Sequence, residues 1–278
     1  MLVLGAVLVG GLLLAPSAFA DLLTPESGGS QNANEIDSLY KIVLYIGIVI
    51  FVGVEGTLLY SLFRFRMRKG RVAAQIHGNT NLEIGWTVGA AVILVVLAIV
   101  TFVKLDGIKN PPNSGPGGLA LASGAQFASV DQPKPPNGKA LNIEVNGQQF
   151  LWRYTYPNGA YSYEEMVVPI NTTVTLDIQS QDVAHSWWIP KLGGKFDAIP
   201  GYHNYTWFKI TRPGVYGGQC AELCGRGHAD MRAQVRAVSV PAYQAWLDEQ
   251  KRDITEAQRL DAVETRQLQS SGQQPAAP

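Results

Sequence analysis

The chain has 278 residues, enough for one or two domains, and its 22 basic and 22 acidic side chains leave a formal net charge of zero. Because this balance provides no polycationic surface, we expect no nucleic-acid partner. Hydrophobic residues make up 46% of the chain, but they are concentrated in blocks before Leu105. This distribution predicts a membrane-anchored protein whose remaining residues form a separate, all-β domain.

Residues 1–20 have the pattern of a secretory signal peptide, with an apolar run followed by Ala18-Phe19-Ala20 as a cleavage site. No Lys or Arg precedes the apolar run, so the alternative is a third, uncleaved helix, for which the run is short. We expect cleavage after Ala20. The segment 21–38 begins with a stretch rich in Gly, Ser, Asn and Gln, which predicts a mobile leader.

Residues 39–105 are predicted to form a two-helix transmembrane hairpin. Ile42–Phe63 and Ile84–Val103 each match the ~20 apolar residues that span a bilayer. The segment between them contains the basic cluster Arg64–Arg71. By the positive-inside rule this cluster lies in the cytoplasm, so everything after Leu105 faces the opposite side of the membrane.

Two carboxylates accompany these spans. Glu55 lies within the first span, where an ionised carboxylate is costly, so it either faces a partner helix or stays protonated. Glu83 stands at the start of the second span, where an acidic residue is favoured by the helix dipole.

The rest of the chain reads as a linker, a β domain and a helical tail. Residues 106–138 are rich in Pro and Gly, which predicts a linker. Residues 139–240 contain short segments that alternate apolar and polar residues between turn signals, a pattern typical of a β-sandwich or barrel. Residues 241–278 are expected to start with a short amphipathic helix at Tyr243 and to be disordered after Leu268.

The two cysteines of the chain lie together, in a segment that also contains a histidine and a methionine. The motif runs Cys220-x-Glu222-x-Cys224, with His228 four residues later and Met231 three residues after that. Thiolate, imidazole and thioether are the ligands that copper prefers. His185, in Asp182-Val-Ala-His185-Ser-Trp, provides a second imidazole from a separate segment.

Other interpretations of this motif explain less. A Cys220–Cys224 disulfide would close a loop of three residues, stabilise the fold weakly, and leave the histidine and methionine spacing unexplained. Zinc accepts Cys and His, but methionine is a poor zinc ligand. A single blue-copper site needs one cysteine and would leave the other thiolate spare. Two thiolates suit two copper ions that share them as bridges.

Cys-x-Glu-x-Cys-x-x-x-His-x-x-Met, preceded by Asp-Val-x-His-Ser-Trp, resembles the CuA site of subunit II of the bacterial haem–copper cytochrome c oxidases. The resemblance implies a cupredoxin-like Greek-key β-barrel over residues 139–240. It also implies two copper ions bridged by both cysteines, with a histidine on each and the remaining donors completing the shells: His185, Cys220, the Glu222 carbonyl, Cys224, His228 and Met231. The carboxylate of Glu222 would bind magnesium at the contact with subunit I.

In this family, electrons enter from cytochrome c through a tryptophan that corresponds here to Phe150, while Trp152 matches a second family tryptophan. Either residue, or another exposed aromatic, is therefore expected to accept the electron. Glu83-x-x-Trp86 resembles the pattern that marks the mouth of a proton channel of subunit I. Acidic residues suited to docking a basic cytochrome include Glu164, Glu165, Asp177, Asp182 and Asp197.

The resemblance thus implies a subunit of a proton-translocating cytochrome c oxidase. It would lie in the inner membrane, contact subunit I and subunit III, and pass electrons to haem without reducing oxygen itself. Quinol oxidase subunits lack the copper ligands present here, and nitrous oxide reductase carries a large additional domain. The alternative from another class is a membrane-anchored copper carrier or assembly protein without electron-transfer turnover.

Overall fold

The computed structural model describes residues 23–67, 70, 72, 74–121 and 129–270. The predicted signal peptide, residues 1–20, and the tail from residue 271 lie outside the described residues. The chain divides into two compact units. One contains residues 35–106, with most of both long apolar helices, and the other contains residues 27–34 and everything from residue 107 onward.

The first unit is built on helices α1 (Gln31–Arg64) and α2 (Thr80–Lys109), both long and apolar enough to cross a membrane. The side chain of Asn79 caps α2 by accepting a hydrogen bond from the Leu82 N–H at 3.2 Å. An ion pair of 2.7 Å joins Glu35 to Lys104. Both predicted spans are therefore helical, as expected for a membrane anchor, and α2 continues four residues beyond the predicted boundary at Leu105.

The second unit contains ten strands in two five-stranded sheets. The strands are β1 Leu141–Gln148, β2 Leu151–Thr155, β3 Tyr161–Tyr163, β4 Glu165–Pro169, β5 Thr173–Ser180, β6 His185–Trp188, β7 Phe196–Ala198, β8 Asn204–Lys209, β9 Gly214–Cys220 and β10 Arg232–Val238. The sheet orders are β3-β2-β1-β5-β8 and β4-β10-β9-β6-β7. The β1–β5 and β10–β4 pairs are parallel and the others antiparallel. This mixed arrangement agrees with the expected Greek-key, cupredoxin-like barrel.

The core lies between the two sheets. Ile143 and Val145 of β1, Leu176 of β5, and Val235 of β10 are fully buried members of one hydrophobic cluster. On β5 the polar positions are also buried, so this strand is covered on both faces rather than half-buried as its alternation predicts. The linker covers the start of this strand, where the Pro112 carbonyl accepts a hydrogen bond of 2.6 Å from the Thr173 hydroxyl.

The mobile leader predicted over residues 21–38 differs from the structure, in which residues 27–38 are held in place. Ser30 and Asn32 are buried. The Asn32 amide donates to the Trp207 carbonyl at 2.8 Å, and the Ser30 hydroxyl accepts from the Lys209 N–H at 3.0 Å. Because β8 is the last strand of its sheet, these polar side chains satisfy backbone groups at an otherwise unpaired edge.

The C-terminal segment forms one long helix, α3, from Val240 to Ser270. The helix is therefore longer than the short one predicted and includes Gln269 and Ser270, where disorder was expected. The rest of the tail predicted to be disordered lies outside the described residues. Its first turns pack on the barrel through the buried ring of Tyr243 and the partly buried Trp246 and Leu247, and Lys251 donates to the Asn158 carbonyl at 3.0 Å. Beyond them the helix is carried by residues of high helix propensity such as Glu, Ala, Gln and Arg.

Candidate metal centre

The paired cysteines sit on a loop that joins two antiparallel strands. β9 ends at Cys220 and β10 begins at Arg232, so residues 221–231 form the loop. The Cys220 N–H donates to the Met231 carbonyl at 2.9 Å, which closes the base of the loop. Gly225 has a φ of 134°, a conformation that side chains rarely adopt. The loop geometry therefore follows from a rigid strand frame and a glycine at its bend.

The distant histidine reaches the loop through strand pairing. β6 lies beside β9 with Trp187 opposite Cys220, and the Ala221 N–H donates to the Ser186 carbonyl at 2.9 Å. His185, the first residue of β6, is consequently fully buried beside Cys220. The sequence could not reveal this register, because His185 and Cys220 are 35 residues apart.

Six predicted donors converge at this position. The Cys220 and Cys224 sulfurs are 3.9 Å apart. The Nδ1 atom of His185 lies 3.9 Å from the Cys220 sulfur, and that of His228 lies 3.6 Å from the Cys224 sulfur. The remaining two donors complete each side: the Glu222 carbonyl oxygen lies 3.3 Å from the Cys220 sulfur, and the Met231 sulfur lies 3.9 Å from the Cys224 sulfur.

These donors fit a metal better than a disulfide. A disulfide has an S–S distance of about 2.05 Å, whereas both cysteines are free and 3.9 Å apart. With metal–sulfur bonds of about 2.3 Å, two thiolates on one metal ion can lie up to ~4.6 Å apart. The buried Met231 thioether favours copper over zinc. The residues present therefore fit copper.

The two thiols differ in acidity. Burial raises the pKa of Cys220, but hydrogen bonds from His185 and the neighbouring backbone outweigh burial and hold the pKa at about 6. Burial and the adjacent Cys220 thiolate together raise the pKa of Cys224 to about 11. Without metal the pair therefore carries one negative charge near neutral pH. A cation that binds both sulfurs must displace the remaining proton.

A carboxylate orients the buried histidine. The Nε2 atom of His185 lies 2.9 Å from Oδ1 of Asp182. The other carboxylate oxygen accepts from the Gln149 N–H at 2.6 Å. Burial acts to raise the pKa of Asp182, but the bonds from Gln149 and His185 outweigh it and lower the pKa below its usual value. The Gln149 side chain also donates to the Cys224 carbonyl at 2.6 Å, so the β1–β2 turn contacts both ligand segments.

The two aromatic candidates for accepting electrons occupy different positions. Trp152 faces inward on β2, is completely buried, and meets the His185 ring edge-on with centroids 5.9 Å apart. Phe150 is partly buried against the core. A Cβ atom added to Gly227 would lie 2.6 Å from the Phe150 ring, so this ring rests directly on the loop of residues 221–231. Phe150 is thus the more exposed of the two.

The remaining predicted residues lie outside this cluster of donors. The side chain of Glu222 is exposed, and Glu83 is exposed in the first turn of α2. Among the acidic docking candidates, Asp177 is buried and pairs with His203 at 2.7 Å, while Glu165 pairs with Arg236. Glu164, Asp182 and Asp197 are exposed.

Sequence reasoning missed the contribution of Gln149 and of Gly147, which lies against the His185 ring. The glutamine precedes the predicted aromatic residue, but its bonds to Asp182 and Cys224 depend on chain segments far away in the sequence. The glycine sits in an ordinary strand and carries no turn signal. No local pattern therefore distinguished either residue.

The fold and the site define a membrane-anchored protein with a cupredoxin-like domain and a copper-type donor set. Two families match the sequence, described as cytochrome C oxidase subunit II, periplasmic domain, over residues 161–238, and cytochrome C oxidase subunit II, transmembrane domain, over residues 21–103. The cytochrome c oxidase subunit 2 of Alkalihalophilus pseudofirmus is 31% identical over 266 residues, which cover 91% of this chain and 72% of the relative. That of Thermostichus vulcanus is 32% identical over 90% of this chain and 85% of the relative. The chain belongs to the cytochrome c oxidase subunit II family.

Among solved structures, the periplasmic domain of subunit II of cytochrome oxidase of Bradyrhizobium japonicum is 35% identical. The match covers 41% of this chain and 94% of that domain, with a TM-score of 0.40. A chain of a heme-copper terminal oxidase dimer matches at 23% identity, with 57% of this chain and 99% of that chain covered and a TM-score of 0.38. The sequence relatives carry the family assignment, which confirms the resemblance inferred from the motif.

Proposed function

We propose that this chain accepts electrons from a cytochrome c at a two-copper centre and passes them to haem in subunit I, where oxygen is reduced to water and protons are translocated. The observation that carries the proposal is the paired arrangement of donors. Two buried, free cysteines lie 3.9 Å apart, and each has its own imidazole and one further donor. A single-metal site has no need of this duplication.

The residues of the chain hold the centre in one geometry. The residues that would hold the two copper ions are Cys220 and Cys224 together with His185, His228, the Glu222 carbonyl and Met231. Bound copper would supply a centre that takes up and releases one electron. The β9–β10 frame would keep the donors in place in both oxidation states of bound copper. A fixed geometry of the donors lowers the reorganisation energy of electron transfer.

The surroundings support a direction for the electron. Phe150 lies over the loop of residues 221–231 and is more exposed than Trp152. We therefore propose that the cytochrome docks on the side of the domain where Phe150 lies. The buried Trp152 would lie behind it, in contact with His185. The exposed acidic residues Asp182 and Glu164 would attract a basic donor and raise its association rate. The partly exposed His228 would face subunit I.

Contacts with the rest of the oxidase follow from the same assignment. The side chain of Glu222 is exposed on the loop of residues 221–231, where its carboxylate would bind magnesium, an ion that prefers oxygen ligands. The anchor would lie in the inner membrane beside subunit I and, in larger assemblies, subunit III. The β domain would then face the periplasm, because the basic residues that follow α1 favour the cytoplasm.

Glu83 is proposed as the point where protons enter a channel of subunit I. Its exposed carboxylate lies in the first turn of α2, next to the basic segment assigned to the cytoplasm. In the assembled oxidase, Glu83→Gln should slow proton uptake during turnover while leaving the reduction of the copper centre by cytochrome c unchanged. Equal proton uptake in the variant and the wild type would contradict this proposal and would mean that Glu83 only stabilises the start of α2 through the helix dipole.

Rapid mixing of the copper-loaded, full-length chain with reduced cytochrome c tests the proposed function. We expect fast oxidation of the cytochrome, with copper retained by the chain and a rate that falls with increasing salt because docking is electrostatic. Transfer of copper to an apo acceptor, without oxidation of the cytochrome, would instead make the chain a copper carrier.

A further inference from the structure

Gly147 occupies a position against the ring of a copper ligand. It lies buried in β1, opposite Trp152 on β2 and Ser180 on β5. A Cβ atom at this position would lie 3.0 Å from Cδ2 of His185 and 3.0 Å from Cζ3 of Trp152. Both distances are tighter than ordinary van der Waals contact. A side chain at this position therefore fits between β1 and these two rings only if one of the rings shifts.

The backbone does not explain the glycine. Gly147 belongs to a regular strand with ladder partners on both sides and lies outside the left-handed region. Gly225 differs, since its φ of 134° disfavours any side chain. At Gly147 the missing side chain provides space, and the space is filled by the rings of His185 and Trp152.

The His185 imidazole is held by contacts with several neighbouring residues. Its Nε2 atom faces the Asp182 carboxylate at 2.9 Å, and its Nδ1 atom faces the Cys220 sulfur at 3.9 Å. Trp152 meets the ring edge-on, with an interplanar angle of 65°. Gly147 lies against the ring as well, and the ring has no exposed surface.

We propose that Gly147 and Trp152 form a slot that positions the His185 imidazole for copper, so that both act as positioning residues of the electron-accepting centre. The inference rests on the proposed function, because it assumes that His185 binds copper. Metal–ligand distances tolerate deviations of about 0.2 Å. A methyl group at residue 147 must move one of the two rings by a few tenths of an ångström, and overpacked cores do not absorb such shifts freely.

Gly147→Ala in the full-length chain tests the slot, with Gly217→Ala as the matched control. Gly217 lies in β9, and a Cβ atom there would meet nothing within 4 Å. We expect G147A to weaken copper binding about tenfold or more and to change the visible and electron paramagnetic resonance spectra of bound copper. G217A should match the wild type. Wild-type affinity and spectra in G147A would overturn the proposal.

Trp152→Phe is a second test of the slot. It replaces the side chain with a smaller one and so introduces no steric clash, which keeps it informative if G147A fails to fold. Its control is Trp207→Phe, since Trp207 is as deeply buried but lies on β8. We expect W152F to make the copper spectra heterogeneous and to shift the His185 ring resonances of the metal-free chain, whereas W207F lowers stability alone. Copper spectra and His185 resonances unchanged in W152F would overturn the slot. A wild-type chain that binds no copper pair would instead refute the proposed function.

Discussion

The carboxylate of Asp182 holds the imidazole of His185 in one orientation, with Oδ1 and Nε2 2.9 Å apart. Because Nε2 faces the carboxylate, Nδ1 is the ring nitrogen that lies beside Cys220 and would bind copper there. The same carboxylate accepts from the Gln149 N–H. Asp182 thus orients the His185 ring and also connects it to Gln149 in the β1–β2 turn.

Asp182→Asn should weaken copper binding roughly tenfold to a hundredfold, the usual cost of losing a partner behind a metal ligand. A carboxamide offers one acceptor oxygen where the carboxylate serves both Gln149 and His185. Competitive copper titration of the full-length chain measures the change, with Asp253→Asn on the exposed face of α3 as the control. An unchanged affinity would show that the hydrogen bond does not orient the ligand.

Glu222→Gln separates the two roles assigned to this residue. The copper shell would use the backbone carbonyl, which the substitution keeps, so the spectra of bound copper should stay the same. The exposed carboxylate is lost, so the assembled oxidase should bind Mn²⁺, as a probe for Mg²⁺, much more weakly. Loss of both the copper signal and Mn²⁺ binding would mean that the Glu222 side chain directly supports the loop that binds copper.

Asn32→Ala should destabilise the β domain by about 1–3 kcal/mol, the cost of leaving a buried acceptor unsatisfied. The acceptor is the Trp207 carbonyl, which the Asn32 amide contacts at 2.8 Å. Near-ultraviolet circular dichroism during urea unfolding of the full-length chain gives the free energy. Gln31→Ala, at an exposed neighbouring position, should have little effect, and equal stabilities for the two variants would argue against the docked leader.

Glu165 should make stability fall with acid. Burial acts to raise its pKa, but hydrogen bonds from Arg236 and Gln234 outweigh burial and lower the pKa below 4.5. A lowered folded-state pKa gives stability that is present above the unfolded-state pKa and lost as pH falls through the folded one. Both side chains are about one third exposed and are screened by solvent, so the effect should stay below about 1 kcal/mol.

Glu165→Gln should therefore be less stable than the wild type at neutral pH and equal to it in acid. Urea unfolding measured at several pH values between neutral and strongly acidic solution tests this, with the exposed Glu249→Gln as control. A difference between E165Q and the wild type that persists unchanged in acid would rule out the ion pair as its cause.

Much of the architecture was predictable because its physical signals are local. Two long apolar runs separated by basic residues indicate a membrane hairpin, and α1 and α2 contain both runs. The alternation at Ile143–Val145 and Val174–Ile178 predicts strands that the structure places within β1 and β5. Short-range periodicity reports which side of a strand faces the core.

The features that the sequence did not predict depend on distant contacts. The leader looked mobile because it is polar, yet Ser30 and Asn32 satisfy the edge of β8, which lies about 175 residues away. The terminal helix looked short because its apolar contacts end near Leu247, yet good helix formers continue it to Ser270.

At the metal centre, the spacing of Cys220, Cys224, His228 and Met231 predicted a cluster that lies on one loop. The pairing of His185 with Cys220 required the motif resemblance, and the structure places the two side by side through β6 and β9. The wall formed by Gly147 carries no signature in the sequence, because a strand glycine that makes room for a ring looks like any other.

Copper quantitation and low-temperature electron paramagnetic resonance on the copper-loaded, full-length chain test the central claim most directly. We expect two copper ions per chain and hyperfine splitting that shows one unpaired electron shared equally by two copper nuclei. One copper ion with the splitting of a single nucleus, or no copper and a Cys220–Cys224 disulfide, would contradict it.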